Sequence, residues 1–331
     1  MSTIEQDEPI DVVIAWVDGD DPAHREKMRP YLTKEAAAEE LIASPTRFRQ
    51  VNEVFFCVAS VLKFAPFVRN IFIITDEQDP QLDCFVDKYF PDRTTAIRIV
   101  DHKELFRGYE HHLPTFNARC IECSLFRVPG LAENFVYMND DFVLLRPLSP
   151  QDWFDGGKVV GRGKWRNMKL DSINDRLRGR YRPFSCKNSM RNAASLLNNS
   201  QRFFHITHTP HPQKRSLIER FHAGHPDLLE SSLAHRFRDK TQYNAQSLGY
   251  MLAAEEGLLE LAHDCELYMK PVGRGDKYVD KKIACAVRGQ QSACLQALDM
   301  ATVQDRAKIF DWLCGILEVD IDDIKPCRNE Q

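Results

Sequence analysis

Three polar residues, Asn139-Asp140-Asp141, interrupt two apolar, β-prone runs near the middle of the chain. The run 135–138 (FVYM) precedes them and the run 142–145 (FVLL) follows, which is the pattern of two buried strands. Adjacent carboxylates in such surroundings are costly unless a cation offsets their charge. Oxygen ligands suit Mg²⁺ or Mn²⁺, so Asp140 and Asp141 could hold an ion against a phosphate. A plain polar turn is the alternative, because Asn and Asp are common turn residues.

A second acidic group, DGDDP, directly follows the first apolar run of the chain. Residues 10–17 (IDVVIAWV) are rich in β-branched side chains, which predicts a buried strand of a parallel sheet. Ligands of open α/β sheets bind at the carboxyl ends of strands, so Asp18 and Asp21 stand where functional residues are expected. Asp-Gly and Pro also form turns, and a structural turn is the other interpretation.

Three histidines, His205, His208 and His211, fall within the segment FFHITHTPHP. Their side chains could ligate zinc, but the intervening Thr-Pro breaks helical spacing, so no common ligand face follows. A histidine acts as a general base at neutral pH when a hydrogen bond positions its ring. For any single histidine, a structural role is the ordinary alternative.

Several cationic groups accompany the predicted helices. Arg47 and Arg49 precede a helix predicted over 51–63, a place that suits a phosphate or nucleotide, although such arginines are often only solvated. The segment 161–191 is basic and carries interleaved aromatic residues, a pattern that could also indicate nucleic acid. We favour a mobile insertion that faces an anionic acceptor, or an exposed surface, for this segment.

Strand and helix patterns alternate through the first half of the chain, which predicts a βαβ-built, mostly parallel sheet. Further strands are predicted over 70–76 and 96–100, and further helices over 82–89 and 115–127. The C-terminal part is predicted to be mainly helical, with helices over 241–261 and 303–317 and a charged loop over 276–282.

The composition is that of an ordinary globular enzyme: 331 residues, 43% hydrophobic and 28% charged, with a net charge of −4. This charge gives no argument for nucleic acid or a membrane. The N-terminal residues are polar and acidic, and no run of about eighteen apolar residues occurs, so we expect a cytoplasmic protein. Ten scattered cysteines are then expected to be free thiols, with Cys120 and Cys123 in the core rather than in a metal or redox pair.

Taken together, these segments resemble the Stealth family of hexose-1-phosphoryltransferases. That family includes bacterial capsule polymerases and the eukaryotic lysosomal-enzyme N-acetylglucosamine-1-phosphotransferase. The similar motifs run in order along most of the chain, outside the basic segment and both termini. They are IDVVIAWVDGDDP (10–22), RFR (47–49) through HLPTFNARCIE to YMNDDFVLLRPL, HTPHPQKRSLIERF (208–221) with AHRFR (234–238), and, most weakly, ACLQALD (293–299).

The resemblance implies an α/β fold: a mostly parallel, Rossmann-like (GT-A-like) nucleotide-sugar sheet with helices on both faces and a mainly helical C-terminal part. It also implies three parts of the chain. Residues 8–160 would form the nucleotide-sugar-binding core, 161–200 a basic insertion that faces the acceptor, and 201–331 a catalytic part that completes the same site.

The implied reaction is phosphoryl transfer, in which an acceptor hydroxyl attacks the β-phosphorus of a UDP-sugar and UMP leaves. Such chemistry depends on positioning and charge neutralisation. Asp140 and Asp141 would hold Mg²⁺ or Mn²⁺, and His208 would be the general base, with His211 as the second candidate. The other implied residues are Asp18 and Asp21 on the nucleotide or metal side, Arg47, Arg49 and Arg238 on the diphosphate, and Asn117 and Glu122 on the donor sugar.

The implied partners are a UDP-sugar, such as a UDP-N-acetylhexosamine, and an oligosaccharide or glycolipid acceptor, at a location peripheral to the inner membrane; no nucleic acid is expected. Two alternatives stay open. One is a conventional metal-dependent glycosyltransferase that releases UDP, and the other is a non-catalytic carbohydrate-binding or scaffold protein. The sequence also leaves open whether Asp299 contributes to the metal site.

Overall fold

The structure is a computed structural model that describes residues 8–32, 50–199, 201–263, 265–286 and 289–327. Within these ranges the chain forms twelve strands in three sheets and twelve α-helices. The strands are β1 (Ile10–Ala15), β2 (Val68–Thr75), β3 (Ala96–Asp101), β4 (Asn134–Asn139), β5 (Phe142–Leu144), β6 (Phe154–Asp155), β7 (Lys158–Asn167), β8 (Arg202–Ile206), β9 (His211–Lys214), β10 (Leu259–Ala262), β11 (Glu266–Met269) and β12 (Ser292–Leu295).

The helices are distributed along the whole described chain. They are α1 (Pro22–Met28), α2 (Glu53–Phe64), α3 (Asp83–Tyr89), α4 (His102–Leu105), α5 (Ala118–Ser124), α6 (Met168–Leu177), α7 (Cys186–Leu196), α8 (Arg215–Gly224), α9 (Pro226–Leu233), α10 (Ala245–Glu255), α11 (Tyr278–Ala286) and α12 (Val303–Leu317). None of the helices in this part of the chain is long and apolar enough to cross a membrane.

The central sheet has the strand order β3-β2-β1-β4-β9, in which β3, β2, β1 and β4 are parallel and β9 is antiparallel. The chain therefore builds outward from β1 to β3 and then returns to place β4 on the other side of β1. If these crossovers are right-handed, as such connections almost always are, α2 and α3 cover one face of the sheet and α4 and α5 the other. The predicted α/β fold class with a mostly parallel sheet is confirmed.

Burial of the central strands explains their continuous apolar sequence. Five of the six residues of β1 are buried, and all but one of the twelve residues of α2 are buried against the sheet and its neighbours. Phe55 and Phe56 of α2 are at most 1% exposed. Each such side chain contributes about 1.5–3 kcal/mol to the stability of the fold.

Two smaller sheets bring the C-terminal part of the chain to the carboxyl edge of the central sheet. In one, β7 pairs with β6, β8 and β10. In the other, β12 lies between β11 and β5, and β5 directly follows the Asp140-Asp141 turn. The pairing of β12 with β5 thus places residues about 150 positions later in sequence beside that turn, where Leu295 N donates to Asp141 O at 2.9 Å.

Some element boundaries differ from the predicted ones. The helix predicted over 241–261 ends at Glu255, because Gly257 takes a positive φ of 72° and the chain continues into β10. The segment 276–282, predicted as a loop, contains the start of α11. The segment 161–200, predicted as a basic insertion, contains most of β7 together with α6 and α7.

The cysteines also differ from expectation in one respect. Cys84 and Cys327 form a disulfide, which corrects the prediction that all ten cysteines are free thiols. The other eight are free, and Cys120 and Cys123 are buried in the core as predicted.

Asp11, which the sequence did not single out, ties three strands together at the amino end of the central sheet. Its carboxylate is fully buried and accepts hydrogen bonds from Arg69 Nε at 3.0 Å, from Asn70 N and Nδ2 at 3.1 and 2.9 Å, and from Ala132 N at 2.7 Å. These donors belong to β2 and to the segment that leads into β4. The Asp11 carboxylate accepts hydrogen bonds from all of these donors, so its removal would leave several of them without an acceptor.

We therefore expect Asp11→Asn to lower the free energy of unfolding by about 1.5–3 kcal/mol, because the substitution replaces a buried charged acceptor and sets an amide N–H₂ against existing donors. Urea denaturation would measure the change. Lys63→Ala serves as the matched control: Lys63 pairs with the well-exposed Glu318, so its loss should cost at most about 1 kcal/mol. Equal effects of the two substitutions would contradict this role of Asp11.

Candidate active site

The predicted acidic residues lie at the topological switch point of the central sheet. Ala15, the last residue of β1, pairs with Asn139, the last residue of β4. Asp18 follows the first strand, and Asp140 and Asp141 form the turn after the second. From β1 the chain adds strands first on one side, as β2 and β3, and then on the other, as β4. A crevice forms where the strand order reverses in this way, and it is the ligand-binding position of an open α/β sheet.

A cluster of carboxylates occupies this edge. Glu53, the first residue of α2, is only 7% exposed and accepts a hydrogen bond from Val51 N at 2.6 Å. Burial, and then the nearby Asp140 carboxylate, raise the pKa of Glu53 to about 7, and Asp299 adds to this rise. Burial together with the neighbouring carboxylates also raises the pKa values of half-buried Asp140 and Asp141. Four acids thus act on one another in one place.

The donor set of this cluster fits a hard divalent cation. Asp141 Oδ1 is buried and has no hydrogen-bond partner among the described residues. Asp141 Oδ2 receives only a long thiol contact, 3.7 Å, from Cys294 Sγ. Carboxylate oxygens with unused lone pairs are the ligands that Mg²⁺ and Mn²⁺ prefer. The metal-binding role of Asp140 and Asp141 stays a prediction, and the charges of Glu53 and Asp299 act on the same cluster.

Tyr137 connects the carboxylate cluster to Glu122 and Arg238. It lies on β4, and its Oη donates to Asn139 Oδ1 at 2.7 Å. Burial, followed by the charges of Glu122, Asp140 and Asp141, raises the pKa of Tyr137, while Arg238 opposes the rise. Because charges act on a buried phenol mainly over short distances, Glu122, Asp140, Asp141 and Arg238 lie in the neighbourhood of Tyr137.

Glu122 is held in a network of its own on α5. Burial raises the pKa of this half-buried carboxyl, while the charges of Arg238 and then Arg119 act in the opposite direction. Glu122 therefore lies near two guanidinium groups and the phenol of β4.

Asn117 is buried and holds the segment that carries Arg238. It caps α5 by accepting from Arg119 N, and its Nδ2 donates to the carbonyl oxygens of His235 and Phe237 at 2.9 and 2.8 Å. Arg119 contributes from the same helix, because its Nη1 donates to Asp239 O at 3.0 Å. Asn117 thus positions residues 235–239, and its predicted contact with the donor sugar stays a prediction.

The two candidate bases have contrasting environments. His211 lies on β9, is paired with Tyr137 across the sheet and is 4% exposed; burial and then His208 lower its pKa to about 3. His208 is exposed, its backbone N donates to Glu266 Oε2 at 2.9 Å, and its ring lies 4.9 Å from that of Tyr268. Burial, and then the nearby Cys294 and Asp141, raise the pKa of Tyr268 to about 12. His208 is therefore at the rim of the site and His211 in its wall.

Asp18 and Asp21 line a cleft of about 300 Å³ next to the carboxylate cluster. Gln78 joins them: Asp18 N donates to its Oε1, and its Nε2 donates to Asp18 O and to Asp21 Oδ2, each at 2.9 Å. The hydrogen bond from Gln78, followed by that from Ala23 N, lowers the pKa of Asp21, which caps α1. The other described lining residues are Trp16, Gln50, Asn52, Val54, Phe55, Glu77, Asp79, Pro80, Gln81 and Pro326. Arg47 and Arg49 lie outside the described residues.

Two family profiles match the region that contains this site. Residues 8–36 match conserved region 1 of Stealth proteins, and residues 47–160 match conserved region 2. The chain belongs to the Stealth family. The matched regions contain Asp18, Asp21, Asn117, Glu122 and the Asp140-Asp141 pair. The motifs HTPHPQKRSLIERF and AHRFR, through which the resemblance assigns His208 and Arg238, lie beyond the matched regions, and those assignments stay predictions.

Curated Stealth relatives include two capsular polysaccharide phosphotransferases, one from Haemophilus influenzae and one from Aeromonas hydrophila. Each is 32% identical to this chain, over 252 and 250 residues respectively. The matches cover 71% and 73% of this chain but 62% and 65% of the relatives. An exopolysaccharide phosphotransferase of Streptomyces coelicolor is 32% identical, with 42% of its length covered. The chain thus spans less than two thirds of these relatives.

Among solved structures, an active-site mutant of LgtC aligns with 92% of this chain and 95% of its own, with 12% sequence identity and a TM-score of 0.46. A bifunctional glycosyltransferase, WbbM, aligns with 95% of this chain and 50% of its own, with 9% identity and a TM-score of 0.46. At this level of similarity, neither structure identifies the substrate of this Stealth chain.

Several residues of the site escaped the sequence analysis. Three of them reach the site only through contacts between distant segments: Glu53, Tyr137 and Gln78. Arg119 lies in a mostly apolar helix, where the sequence pattern gave it no functional role. A signal existed only for Glu53, an acid at the start of a helix that follows the first acidic loop. A separate group, His111, His112 and Glu230, brings three ligand-type atoms within 4.8 Å of one another; the histidines lie on a 3₁₀ turn that ends at the first residue of HLPTF, and Glu230 lies on α9.

Because the buried acids repel one another, we expect Asp141→Asn to raise the metal-free free energy of unfolding by about 1–3 kcal/mol at pH 8. The sign follows from the raised pKa values: the penalty is complete above the folded pKa, about 7, and disappears as the pH falls toward the ordinary value. The gain should therefore shrink at pH 5.

Mn²⁺ or Mg²⁺ should raise the melting temperature of the wild type but not of the Asp141→Asn variant.

Asp155→Asn is the matched control, because Asp155 is an exposed carboxylate on β6. It should leave both the unfolding free energy and the metal-induced shift at wild-type values. An Asp141→Asn protein that is stabilised by Mn²⁺ as strongly as the wild type would rule out a metal contact at this position.

Proposed function

We propose that this chain transfers a sugar-1-phosphate from a UDP-sugar to a hydroxyl of an acceptor glycan, with release of UMP, in capsule or other cell-surface polysaccharide synthesis. The observation that carries the proposal is the convergence of Glu122, Asp140, Asp141 and Arg238 on Tyr137 at the switch point of a Stealth chain. Acids for a cation and arginine for phosphate are the groups that phosphoryl transfer requires. The relatives from Haemophilus influenzae and Aeromonas hydrophila are capsular polysaccharide phosphotransferases, which agrees with this proposal.

In this proposal the reacting atoms are those of a phosphodiester exchange. The acceptor oxygen forms a bond to the β-phosphorus of the donor, and the bond from that phosphorus to the bridging oxygen breaks. UMP departs with the bridging oxygen, and the sugar-1-phosphate becomes joined to the acceptor. The acceptor proton passes to a base of the protein.

Asp140 and Asp141 would hold Mg²⁺ or Mn²⁺, with Glu53 and Asp299 beside them. The bound ion would supply charge neutralisation for the diphosphate. Arg238 would stabilise the same anionic group from the opposite side, because a guanidinium binds phosphate oxygens through two parallel hydrogen bonds. Glu122 orients Arg238 through the electrostatic attraction between them.

The cleft lined by Asp18 and Asp21 is the proposed place for the nucleotide. Its volume of about 300 Å³ and its position beside Glu53 suit a ribose and base whose diphosphate reaches the carboxylates. Gln78 fixes both acids, so they present a rigid hydrogen-bonding edge. Arg47 and Arg49 are proposed to contact the diphosphate from the segment outside the described residues.

His208 is the proposed base. His211, the second candidate, is poorly suited because burial lowers its pKa to about 3, and such an imidazole is a weak proton acceptor at neutral pH. His208 is exposed at the rim, where an acceptor hydroxyl can approach from solvent. The Tyr268 ring and the backbone contact with Glu266 set its position.

The acceptor is proposed to be an oligosaccharide or a glycolipid, and the donor sugar an N-acetylhexosamine. A cytoplasmic location peripheral to the inner membrane would bring the protein to such an acceptor. No nucleic acid enters this proposal.

The nucleotide product separates this proposal from a conventional glycosyltransferase. We expect incubation with a panel of UDP-sugars, Mn²⁺ and capsule-type oligosaccharides to release UMP and to give a product heavier by one sugar phosphate. Liquid chromatography with mass spectrometry would identify both. Release of UDP with addition of a sugar alone would identify a glycosyltransferase. Turnover of no donor under any condition would favour a carbohydrate-binding protein.

We expect His208→Ala to lower kcat by about 10²–10⁴-fold, the usual contribution of a general base. UDP-sugar binding, measured by calorimetry, should stay close to the wild-type value because His208 does not line the proposed nucleotide cleft. His205→Ala, three residues away in the same segment, is the control and should keep most of the activity. Wild-type turnover by His208→Ala would refute the assignment.

A further inference from the structure

The helix α6 presents an apolar stripe to solvent rather than to the core. Leu170, Ile173 and Leu177 are 68%, 54% and 82% exposed. At about 100° per residue, the three side chains fall within one narrow sector of the helix surface. Tyr181 in the following loop is 37% exposed and extends the apolar surface. Single exposed leucines are common on proteins, but a stripe of this kind marks an interaction site.

The opposite side of α6 carries the acids of the helix, and these are buried. Asp171 and Asp175 are 9% and 6% exposed. Arg191 Nη2 donates to both carboxylates at 2.5 Å, and Lys187 Nζ lies 2.8 Å from Asp175 Oδ1. Arg166 completes the pairing of Asp171 at 3.1 Å. The negative charges of this helix are therefore neutralised inside the protein and do not contribute to its outer face.

The outer face is left with positive charge. Lys169 and Arg176 occupy one flank of the apolar stripe, and further arginines follow the helix. All of these side chains are exposed: Lys169, Arg176, Arg178, Arg180 and Arg182. Arg176 also stacks on the ring of Tyr181, with 5.5 Å from its guanidinium carbon to the ring centroid. Leucine and tyrosine side chains rimmed by arginine and lysine form the composition of an interfacial helix.

We propose that α6 and the loop up to Arg182, called here the α6 surface, bind an anionic phospholipid bilayer. The apolar stripe would enter the boundary between headgroups and acyl chains, and the five cations would contact lipid phosphates. Each cation near an anionic leaflet strengthens attachment, and the apolar side chains add burial. The charge pattern favours this occupant over a second copy of the chain, because two such basic surfaces repel each other.

The α6 surface is continuous with the site. Arg119 Nη2 donates to Phe184 O at 2.8 Å, just after the loop. Cys186 is the first residue of α7. Burial and then the charge of Glu122 raise the pKa of its thiol, while Arg119 and Arg238 lower it. Attachment through α6 would thus hold the site close to the bilayer. This last consequence rests on the proposed transfer to a glycolipid acceptor, whereas lipid binding itself does not.

Sedimentation with vesicles tests the proposal without any assay of transfer. The purified full chain should bind phosphatidylcholine vesicles that contain phosphatidylglycerol and should bind pure phosphatidylcholine much more weakly. Binding should fall in about 1 M salt, where the Debye length is about 3 Å. The exposed-residue variants Ile173→Asp with Leu177→Asp, and Arg176→Glu with Arg178→Glu and Arg180→Glu, should each weaken binding at least tenfold.

Two control variants carry matched changes elsewhere. Val303→Asp alters an equally exposed apolar residue, 70% exposed at the start of α12, and Arg98→Glu with Arg107→Glu inverts two exposed charges. Both should bind like the wild type. Equal loss in control and α6 variants, or no binding by the wild type at low salt, would overturn the proposal. So would a wild-type dimer that Leu177→Asp converts to a monomer without any change in vesicle binding. Vesicle binding by a chain that releases no UMP would refute only the proposed transfer.

Discussion

Repulsion among carboxylates is the interaction on which the site depends. Asp140, Asp141 and Glu53 are held in a partly dehydrated edge where burial and mutual charge raise all three pKa values. A fold that places acids in this way is less stable without a cation than a fold with neutral side chains there. Above the raised pKa values, where the acids are ionised, a positive group compensates this instability. The site is therefore arranged for a ligand that brings or attracts positive charge, and a metal-bound diphosphate meets that condition.

The strand order makes this concentration of charge unavoidable. Parallel β1 and β4 end side by side, so the acidic residues that follow each strand share one crevice. The amino ends of the same strands are joined by the buried Asp11, whose carboxylate is fully satisfied by donors. At the amino end of these strands, Asp11 has enough hydrogen-bond donors and fixes the strands. At the carboxyl end, Asp140 and Asp141 have too few donors to balance their charge. Stability and function are separated along the same two strands.

Sequence reasoning found the features that are local. The two apolar runs around Asn139-Asp140-Asp141, and helix α12 over its full length, are visible as periodic patterns. Features that depend on distant contacts were not visible. Glu53 becomes part of the carboxylate cluster only because α2 packs against the end of β4, and β12 reaches Asp141 only through its pairing with β5. The helix over 241–261 was predicted too long because its apolar spacing continues past Gly257 into a strand.

Asn117 shows why a motif position and a substrate contact are different claims. Its side-chain amide nitrogen is already committed to the carbonyls of His235 and Phe237 and to Gln242 Oε1. A change at Asn117 would therefore release the segment that carries Arg238 before it removed any contact with a sugar. Arg119 behaves in the same way toward Asp239 and also reaches the loop that follows α6. The helix after HLPTF thus acts as a frame: it supplies Glu122 to the site directly and controls Arg238 through buried hydrogen bonds.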